Sequence, residues 1–344
     1  MTFDHLTNHQ IRLASRPVGL PTAANWQATT EPVAGPVPGG VLLKTLALSL
    51  DPAMRGWMNE GKSYIPPVAL GEVMRAGGVG RVIASDNPGF AVGDAVSAGF
   101  GVQQYLSLAP ADFKRAGLVK IDLGMGSWTQ WLNVLGMPGM TGYFGLMDVG
   151  QPKAGETLVV SGAAGAVGQT VGQVAKIRGC RVAGIAGGQA KCDWVVKELG
   201  FDACIDYKEH KDYISLSKAL REACPNGIDG HFENVGGMVL DAVMLRPNAF
   251  ARIAVCGMIA GYDGAPLPMA NPALILVNRM KIEGFIVSEH MEVWPEALQE
   301  LGTLVGTGKL RPRESVAQGL AAAPEAFLGL LKGKNFGKQL VKLI

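Results

Sequence analysis

The sequence predicts an α/β protein in which a mainly antiparallel, barrel-like domain precedes a doubly wound parallel sheet. Three observations predict this fold class. A glycine-rich turn separates an apolar run from a helical pattern at residues 157–178, and strand patterns then alternate with helical patterns up to about residue 300. Residues 1–128 instead carry short β-like runs separated by turns rich in Gly and Pro. Alternation of strands and helices is typical of parallel sheets, and closely spaced short strands are typical of barrels.

The glycine-rich turn is the most informative motif. Residues 157–168 read TLVVSGAAGAVG and lead into QTVGQVAKIRG. In a Rossmann unit this order places a dinucleotide pyrophosphate at the helix N-terminus, where backbone N–H groups face the anion. Gly165 lets the backbone approach the phosphates, and Gly168 lets the helix pack closely. Ala163 replaces the usual first glycine, so the prediction of a cofactor site depends on the flanking strand and helix; the alternative is a purely structural turn.

The end of the next strand indicates which cofactor binds. The strand CRVAGIA (180–186) runs into GGQAKCDWVVKELG, without the Asp or Glu that accepts hydrogen bonds from the ribose of NAD. Gly187 and Gly188 leave room at this point, and Lys191 supplies a cation, which together suit a 2′-phosphate. The sequence therefore predicts NADP(H). The alternative for Lys191 is an ordinary solvated lysine.

Length and composition limit the class of protein. A chain of 344 residues with 48% hydrophobic and 17% charged residues has material for about two domains. The net charge of +2, without a basic run, argues against a nucleic-acid partner. No stretch approaches the roughly 20 apolar residues of a membrane span, and the N-terminus has no apolar core of a signal peptide. The five cysteines form no C-x-x-C pair, so we expect a reduced, cytoplasmic protein.

The change of pattern along the chain predicts the domain boundaries. We expect the barrel-like domain to span residues 1–128 and the cofactor-binding domain to span residues 129–300. Residues 301–344 read as a helix flanked by short strands. We expect this C-terminal part to complete the first domain.

Several motifs taken together resemble one family. They are GMPGMTGYFGL (136–146), AAGAVG (163–168), GIAGGQAKC (184–192), FDACIDY (201–207), FENVGG (232–237), VCGMIAGY (255–262), GFIV (284–287) and NFGKQLVKL (335–343). They resemble the zinc-independent double-bond reductase branch of the medium-chain dehydrogenase/reductase superfamily, which includes prostaglandin reductases, plant 2-alkenal reductases and bacterial curcumin reductases. The resemblance implies a Rossmann domain that binds NADP(H) and a GroES-like N-terminal domain.

The resemblance also implies roles for individual residues. Hydride from NADPH would add to the β-carbon of an α,β-unsaturated ketone or aldehyde, and Tyr262 would donate a hydrogen bond to the carbonyl oxygen. The alternative for Tyr262 is a loop tyrosine that only packs on the cofactor. The implied cofactor-binding residues are Thr141, Gly165, Ala166, Val167, Gly168, Lys191, Tyr207, Asn234, Cys256, Gly257, Tyr262, Phe285, Ile286, Val287 and Asn335. The candidates for the substrate pocket, each with core packing as its alternative, are Trp57, Tyr64 and Phe100.

Zinc is the competing interpretation, because many members of the superfamily are zinc alcohol dehydrogenases. Residues 1–179 contain no cysteine, and LGEVMRAGG stands where a histidine ligand would be. Structural zinc needs about four Cys or His ligands in close spacing. We therefore expect no metal.

Two other functions stay open at this point. A zinc-less quinone reductase would share the fold and the cofactor but would not need Tyr262. A nucleotide-binding protein without catalysis is disfavoured by the intact Tyr262 and glycine turn. We also expect GFIVSEH (284–290) to supply an exposed edge strand that pairs with its copy in a homodimer.

Overall fold

The computed structural model describes residues 3, 5–61, 63–264 and 266–343, which form fifteen strands and ten α-helices. The strands are β1 (Thr7–Leu13), β2 (Trp26–Pro32), β3 (Val41–Leu50), β4 (Gly78–Ser85), β5 (Ala95–Ala98), β6 (Tyr105–Leu108), β7 (Val119–Lys120), β8 (Thr157–Ser161), β9 (Arg181–Ala186), β10 (Ala203–Asp206), β11 (Ile228–Glu233), β12 (Pro247–Val255), β13 (Lys281–Gly284), β14 (Glu314–Gln318) and β15 (Lys338–Lys342). The helices are α1 (Met54–Trp57), α2 (Phe113–Ala116), α3 (Met137–Phe144), α4 (Ala166–Ile177), α5 (Gln189–Lys197), α6 (Tyr213–Ala223), α7 (Met238–Met244), α8 (Ala273–Val277), α9 (Trp294–Gly306) and α10 (Ala323–Leu331). Within these described ranges, no helix has the length and apolar character needed to cross a bilayer.

Residues 133–313 form one compact unit, here called unit 2, around a six-stranded parallel sheet. The strand order is β10-β9-β8-β11-β12-β13. Strands β9 and β10 are added on one side of β8 and strands β11 to β13 on the other, so the order of the strands reverses between β8 and β11. All five residues of β8 are buried, because helices cover both faces of such a sheet and leave no polar side. Ligands of open α/β sheets bind at the carboxyl ends of the strands where this reversal occurs. The predicted parallel sheet is confirmed.

Residues 1–132 and 314–344 form the other compact unit, here called unit 1. Its main sheet has the order β14-β15-β3-β4-β5-β7, with β6 also paired to β3, and β1 and β2 form a separate antiparallel pair. The pairs of the main sheet are antiparallel except that β14 and β15 run parallel. The predicted antiparallel N-terminal sheet is confirmed, and the C-terminal strand β15 joins it beside β3.

The second predicted boundary, at residue 300, falls inside helix α9. This helix buries Ala297, Leu301 and Leu304, whose spacing of four and three residues places them on one face. The helix therefore stays whole within unit 2, which extends to Arg313.

The predicted edge strand at residues 284–290 is corrected by the structure. The last strand of the parallel sheet is β13, which ends at Gly284, and a 3₁₀ turn over Val287–Glu289 follows it. The side chain of Phe285 turns inward and packs against Phe144 and Phe232, with ring centroids 5.5 and 6.2 Å apart. The chain leaves the strand after Gly284 and enters this tight turn, so the segment does not extend the sheet.

Close packing of α4 on the sheet gives a test of the fold. A Cβ atom added at Gly172 would lie 1.7 Å from Cζ of Phe201, which is buried. We expect Gly172→Ala to destabilise the protein by about 1–3 kcal/mol through overpacking, read as a lower midpoint of urea unfolding.

The matched control is Gly306→Ala in α9, where an added Cβ meets nothing within 4 Å. This control should leave the midpoint unchanged or raise it, because alanine favours the helix by about 0.5–1 kcal/mol. Equal midpoints for the two variants would show that the close approach at Gly172 is unimportant.

Candidate functional site

The glycine turn after β8 has a glycine at each position where a side chain would interfere. Gly162 has a φ of +58°, a left-handed conformation that favours glycine. Gly165 precedes the first residue of α4 and donates its N–H to the Gly162 carbonyl oxygen at 2.8 Å. A Cβ at Gly168 would lie 2.3 Å from that same oxygen. The sequence analysis missed Gly162; its signal was the regular spacing of three among the glycines at 162, 165 and 168.

The N-terminus of α4 lies directly beyond this turn. Ala166 and Val167 open the helix and are half-buried. The first N–H groups of an α-helix have no partner within the helix, and the helix dipole adds partial positive charge at this end. A twelve-residue helix preceded by a turn of only glycine and alanine can therefore receive a phosphate group closely.

A buried pair of histidine and carboxylate side chains lies beneath this turn, at the end of β11. His231 Nε2 is 2.9 Å from Glu233 Oε2, and the two side chains are 1% and 0% exposed. His231 Nδ1 lies 3.0 Å from the carbonyl oxygen of Val159, which only accepts, so this nitrogen carries a proton. Burial would raise the pKa of Glu233, but His231 and the hydrogen bonds from Ser161 and Val235 hold it below its ordinary value.

The Glu233 carboxylate organises the residues around it. Its Oε1 accepts hydrogen bonds from Ser161 Oγ at 2.6 Å and from the Gly236 backbone N–H at 3.0 Å. Ser161 Oγ in turn accepts from the Asn234 backbone N–H at 2.7 Å. The Asn234 side chain donates to the Ser161 carbonyl oxygen, also at 2.7 Å, and lies 3.4 Å from the position of a Cβ on Gly162. Asn234 is thereby fixed beside the glycine turn.

The loop after β12 is fastened to the same strand ends. Cys256 donates its backbone N–H to the Glu233 carbonyl oxygen at 2.9 Å, and Ile259 donates to the Asn234 carbonyl oxygen at 3.1 Å. Burial and the nearby charge of Glu233 raise the pKa of the Cys256 thiol to about 12, so it stays protonated.

Tyr262 follows the short 3₁₀ turn in this loop. Its Oη lies 3.4 Å from the Met258 backbone nitrogen, which donates to it, and 3.0 Å from the position of a Cβ on Gly257. The structure thus brings Asn234, Gly257 and Tyr262 together at the carboxyl edge of the sheet.

A second group of predicted residues meets at the end of β9. A Cβ at Gly187 would lie 2.9 Å from a ring carbon of Tyr207, 3.2 Å from its Oη and 3.1 Å from Cε of Lys208. Tyr207 and Lys208 therefore lie over the glycine and occupy the room that the missing side chain leaves. The sequence analysis missed Lys208, whose signal was its position next to Tyr207 in the chain.

Lys191 borders the same place from the first turn of α5. Burial and the positive charge of Lys208 lower the pKa of Lys191. Asp206 Oδ1 accepts hydrogen bonds from the backbone N–H groups of Gly188 at 2.8 Å and Lys208 at 3.0 Å, which fixes the two segments to each other. Two lysines and a phenol make this corner suited to an anion.

The other predicted residues of unit 2 are spread along the chain. Thr141 lies in α3 and donates its hydroxyl to the Met137 carbonyl oxygen at 2.7 Å. Ile286 is half-buried and Val287 is buried, and their backbone carbonyls accept from Glu289 and His290 in the turn after β13. Their contacts with a cofactor stay predictions.

In unit 1, the three candidates for the substrate pocket differ in their surroundings. Trp57 Nε1 donates to Tyr64 Oη at 3.1 Å, the Arg75 guanidinium lies 5.4 Å from the Trp57 ring centroid, and Tyr64 is 54% exposed. Phe100 is 0% exposed and packs against Gly78, where an added Cβ would lie 2.8 Å from its ring. Phe100 thus has the surroundings expected of its core-packing alternative, within the core of unit 1.

Asn335 lies in the turn before β15. It is buried, and its side-chain amide donates to the Gly337 carbonyl oxygen at 2.7 Å. The neighbouring Lys338 is 1% exposed; its ammonium donates to the Leu50 carbonyl oxygen at 2.8 Å and pairs with Asp51. This ion pair, whose lysine is buried, fastens the turn to the end of β3.

Comparison with known proteins decides the family. Residues 9–116 match the model of the N-terminal domain of oxidoreductases, and residues 166–303 match the model of zinc-binding dehydrogenases. The chain is 45% identical to the NADPH-dependent curcumin reductase of Escherichia coli, covering 98% of this chain and 97% of that protein. The chain belongs to the double-bond reductase branch of the medium-chain dehydrogenase/reductase superfamily. The family resemblance found in the sequence is confirmed.

Two further similarities fall within this branch. The NADP(+)-dependent 2-alkenal reductase of Nicotiana tabacum is 39% identical over 98% of both chains. The crystal structure of CurA from Vibrio vulnificus in complex with NADPH superimposes with a TM-score of 0.90 at 44% identity, covering 98% of this chain and 99% of that one. Although one matching model is named for zinc, the described residues contain no group of three or more His, Cys, Asp or Glu side chains placed to hold a metal ion.

The buried carboxylate of Glu233 gives a test of how the site is built. Glu233→Ala removes the acceptor for Ser161 and leaves His231 without its partner, so we expect a loss of about 3–5 kcal/mol in unfolding free energy. Glu233→Gln keeps the size and the acceptor oxygen, and its amide can donate to a neutral His231, so it should lose less than half as much. Urea unfolding measures both.

Glu289→Ala, at an exposed position outside the network, is the control and should change little. If the Ala and Gln variants of Glu233 lost equal stability, the hydrogen bonds at Oε1 would not be what matters.

Proposed function

We propose that this protein uses NADPH to reduce the conjugated double bond of α,β-unsaturated ketones and aldehydes. As a member of its branch it is an oxidoreductase of the curcumin, alkenal and prostaglandin reductase type. The observation that carries the finer proposal is the position of Tyr262. Its hydroxyl lies at the carboxyl edge of the parallel sheet, in a loop hydrogen-bonded to Asn234 beside the glycine turn.

The residues present fit NADPH in two places. The glycine turn and the first turn of α4 would hold the pyrophosphate through the backbone of Gly165, Ala166, Val167 and Gly168. Lys191, with Tyr207 and Lys208, would hold the 2′-phosphate over Gly187. When bound, the cofactor supplies the hydride. The same proposal extends to Thr141, Asn234, Cys256, Gly257, Phe285, Ile286, Val287 and Asn335 as further cofactor contacts, and to Trp57 and Tyr64 as part of the substrate pocket.

The proposed substrate class is supported by what this site offers. A conjugated carbonyl is already electrophilic at its β-carbon, so its reduction needs no metal. Hydride addition there moves negative charge to the carbonyl oxygen, which becomes an enolate. A phenol remains protonated at neutral pH and can donate to that oxygen, stabilising the charge where it develops.

The proposed role of Tyr262 is tested by its Phe variant. Loss of the hydroxyl should lower kcat on a small enone by about 10- to 1,000-fold, the range for one oxyanion donor. The KM for NADPH should change little, because the aromatic ring remains and only the hydroxyl is removed. The measurement is NADPH oxidation followed by absorbance.

A simple quinone serves as the control substrate, because direct hydride transfer to a quinone does not need the phenol. A wild-type enzyme that reduces only quinones would contradict the enone proposal in favour of a quinone reductase. Equal kcat values for wild type and Tyr262→Phe on enones would leave Tyr262 as a packing residue.

The cofactor proposal is tested at Lys191. A charge-assisted hydrogen bond contributes about 1.5–3 kcal/mol, so Lys191→Ala should weaken NADPH by about 10- to 150-fold and leave NADH nearly unchanged. Tyr207→Phe should act in the same direction but more weakly. The quantity to compare is the ratio of kcat/KM for NADPH and NADH in each variant.

Lys197→Ala is the matched control, because Lys197 lies in the same helix and pairs with Asp193 on the exposed side. It should not move the ratio. A parallel loss for both cofactors in Lys191→Ala would mean that the lysine supports the helix and does not recognise the phosphate.

We also propose a homodimer and a reducing, cytoplasmic location. All five cysteines are free thiols, as expected in a reducing compartment. Strand β13 ends the parallel sheet and offers an unpaired edge. Phe250 in the preceding strand β12 and Leu276 and Val277 in helix α8 are exposed, at 64%, 80% and 62%. A second copy would cover these apolar side chains.

Sedimentation of the purified protein tests the dimer. We expect a particle of twice 36.1 kDa for wild type at micromolar concentration and a shift to monomer for Leu276→Asp. Val18→Asp, at a fully exposed position of unit 1, should stay dimeric. A monomeric wild type would rule the dimer out.

A further inference from the structure

Two cysteines outside the proposed chemistry are in direct contact. Cys192 Sγ and Cys204 Sγ are 2.9 Å apart, and the Cys204 thiol donates a hydrogen bond to Cys192. They stand twelve positions apart in the chain, with Cys192 in the first half of α5 and Cys204 in β10. The contact therefore joins a helix to the strand it packs on.

We propose that Cys192 and Cys204 are an oxidation site, in which hydrogen peroxide forms a reversible disulfide that weakens NADPH binding. The first part of this proposal, the disulfide, stands on the geometry of the two thiols. The second part, the loss of affinity, rests on the proposed use of NADPH.

The surroundings allow the bond to form with little movement. A disulfide needs a sulfur–sulfur distance of about 2.05 Å, so the two atoms must approach by about 0.9 Å. Cys204 Sγ lies over Gly184 in the neighbouring strand, 3.2 Å from the position of a Cβ, so the glycine makes room for it. Cys192 is 2% exposed and Cys204 is partly exposed, so an oxidant reaches the pair from the Cys204 side. A small oxidant the size of water reaches it more readily than a bulky reagent.

The hydrogen bond also decides which sulfur reacts first. The hydrogen bond from Cys204 lowers the pKa of the Cys192 thiol, although burial acts in the opposite direction. Burial raises the pKa of the Cys224 thiol to about 11. Because the thiolate is the nucleophile, Cys192 is the more reactive of these buried cysteines.

The reaction balances with peroxide as the only co-reactant. The Cys192 thiolate attacks one peroxide oxygen and the O–O bond breaks, which leaves a sulfenic acid at Cys192 and releases hydroxide. The hydroxide takes up a proton and becomes water. The Cys204 thiol then attacks the sulfenic sulfur, and a second water leaves as the S–S bond forms. Two thiols and one hydrogen peroxide give one disulfide and two waters.

The disulfide would act on the proposed 2′-phosphate site through its neighbours in the chain. Cys192 follows Lys191, and Cys204 stands two residues before Asp206, whose carboxylate accepts from Gly188. Drawing the sulfurs together shifts the first turn of α5 relative to β10, and with it the distance from Lys191 to Tyr207. A charge-assisted hydrogen bond depends closely on such distances.

The experiment treats the full-length enzyme with hydrogen peroxide, blocks the remaining thiols, and identifies the linked peptides by mass spectrometry without reduction. We expect a Cys192–Cys204 link that dithiothreitol reverses. Partial loss of one charge-assisted hydrogen bond should raise the KM for NADPH by about 3- to 10-fold, with the KM for NADH unchanged. Cys192→Ser and Cys204→Ser should form no link and show no change in KM, whereas Cys224→Ser should behave like wild type.

Each outcome decides one part of the proposal. Absence of the link in peroxide-treated wild type, or its presence in other cysteine pairs only, overturns the oxidation site. A Cys192–Cys204 link that leaves the KM for NADPH unchanged overturns the coupling. An enzyme that forms the link but does not oxidise NADPH with any enone, before or after treatment, contradicts the proposed function and leaves the oxidation site standing.

Discussion

The geometry of the candidate site depends on one buried carboxylate. Glu233 ends a central strand of the parallel sheet and is fully enclosed, so its charge persists only because His231, Ser161 and two backbone N–H groups face it. The same hydrogen bonds determine where Ser161 and Asn234 lie. Through their backbone atoms, Glu233 and Asn234 also hold the loop that carries Tyr262. A charge that is costly to bury therefore fixes three chain segments at the edge where ligands bind.

Around this fixed centre, the site is shaped mainly by side chains that are absent. Gly162 and Gly168 let helix α4 begin immediately against the turn after β8, which brings the first N–H groups of the helix to the sheet edge. Gly257 lets the Tyr262 hydroxyl lie close to the backbone. Gly187 does the same for Tyr207 and Lys208. In each case the glycine leaves its backbone accessible to a ligand or to a side chain that packs beside it. A larger residue at the same position would fill that space with its own side chain.

The two anion-binding corners use different physics. At α4 the backbone itself carries the positive potential, which suits a pyrophosphate whatever the rest of the ligand is. At Gly187 the potential comes from two lysines, and burial together with the positive charge of Lys208 lowers the pKa of Lys191. An anion between two nearby cations offsets their electrostatic repulsion, so this corner favours a ligand with an additional phosphate. The thiol contact of Cys192 and Cys204 lies beside this second corner and not beside the first.

The sequence by itself determined the fold class, the order of strands and helices in unit 2, and the family. Apolar runs and glycine turns report local burial and local backbone shape, so strands such as β8 and β9 were predicted within a residue of their bounds. Tertiary structure decided what distant segments do together. The hydrogen bond between Ser161 and Glu233 joins positions 72 apart in the chain, and no local sequence pattern predicts it. For the same reason the core position of Phe100, the role of Gly162, the place of Lys208 and the contact between Cys192 and Cys204 emerged only from the folded chain. Periodicity tells which side chains are buried, but only packing tells which of them meet.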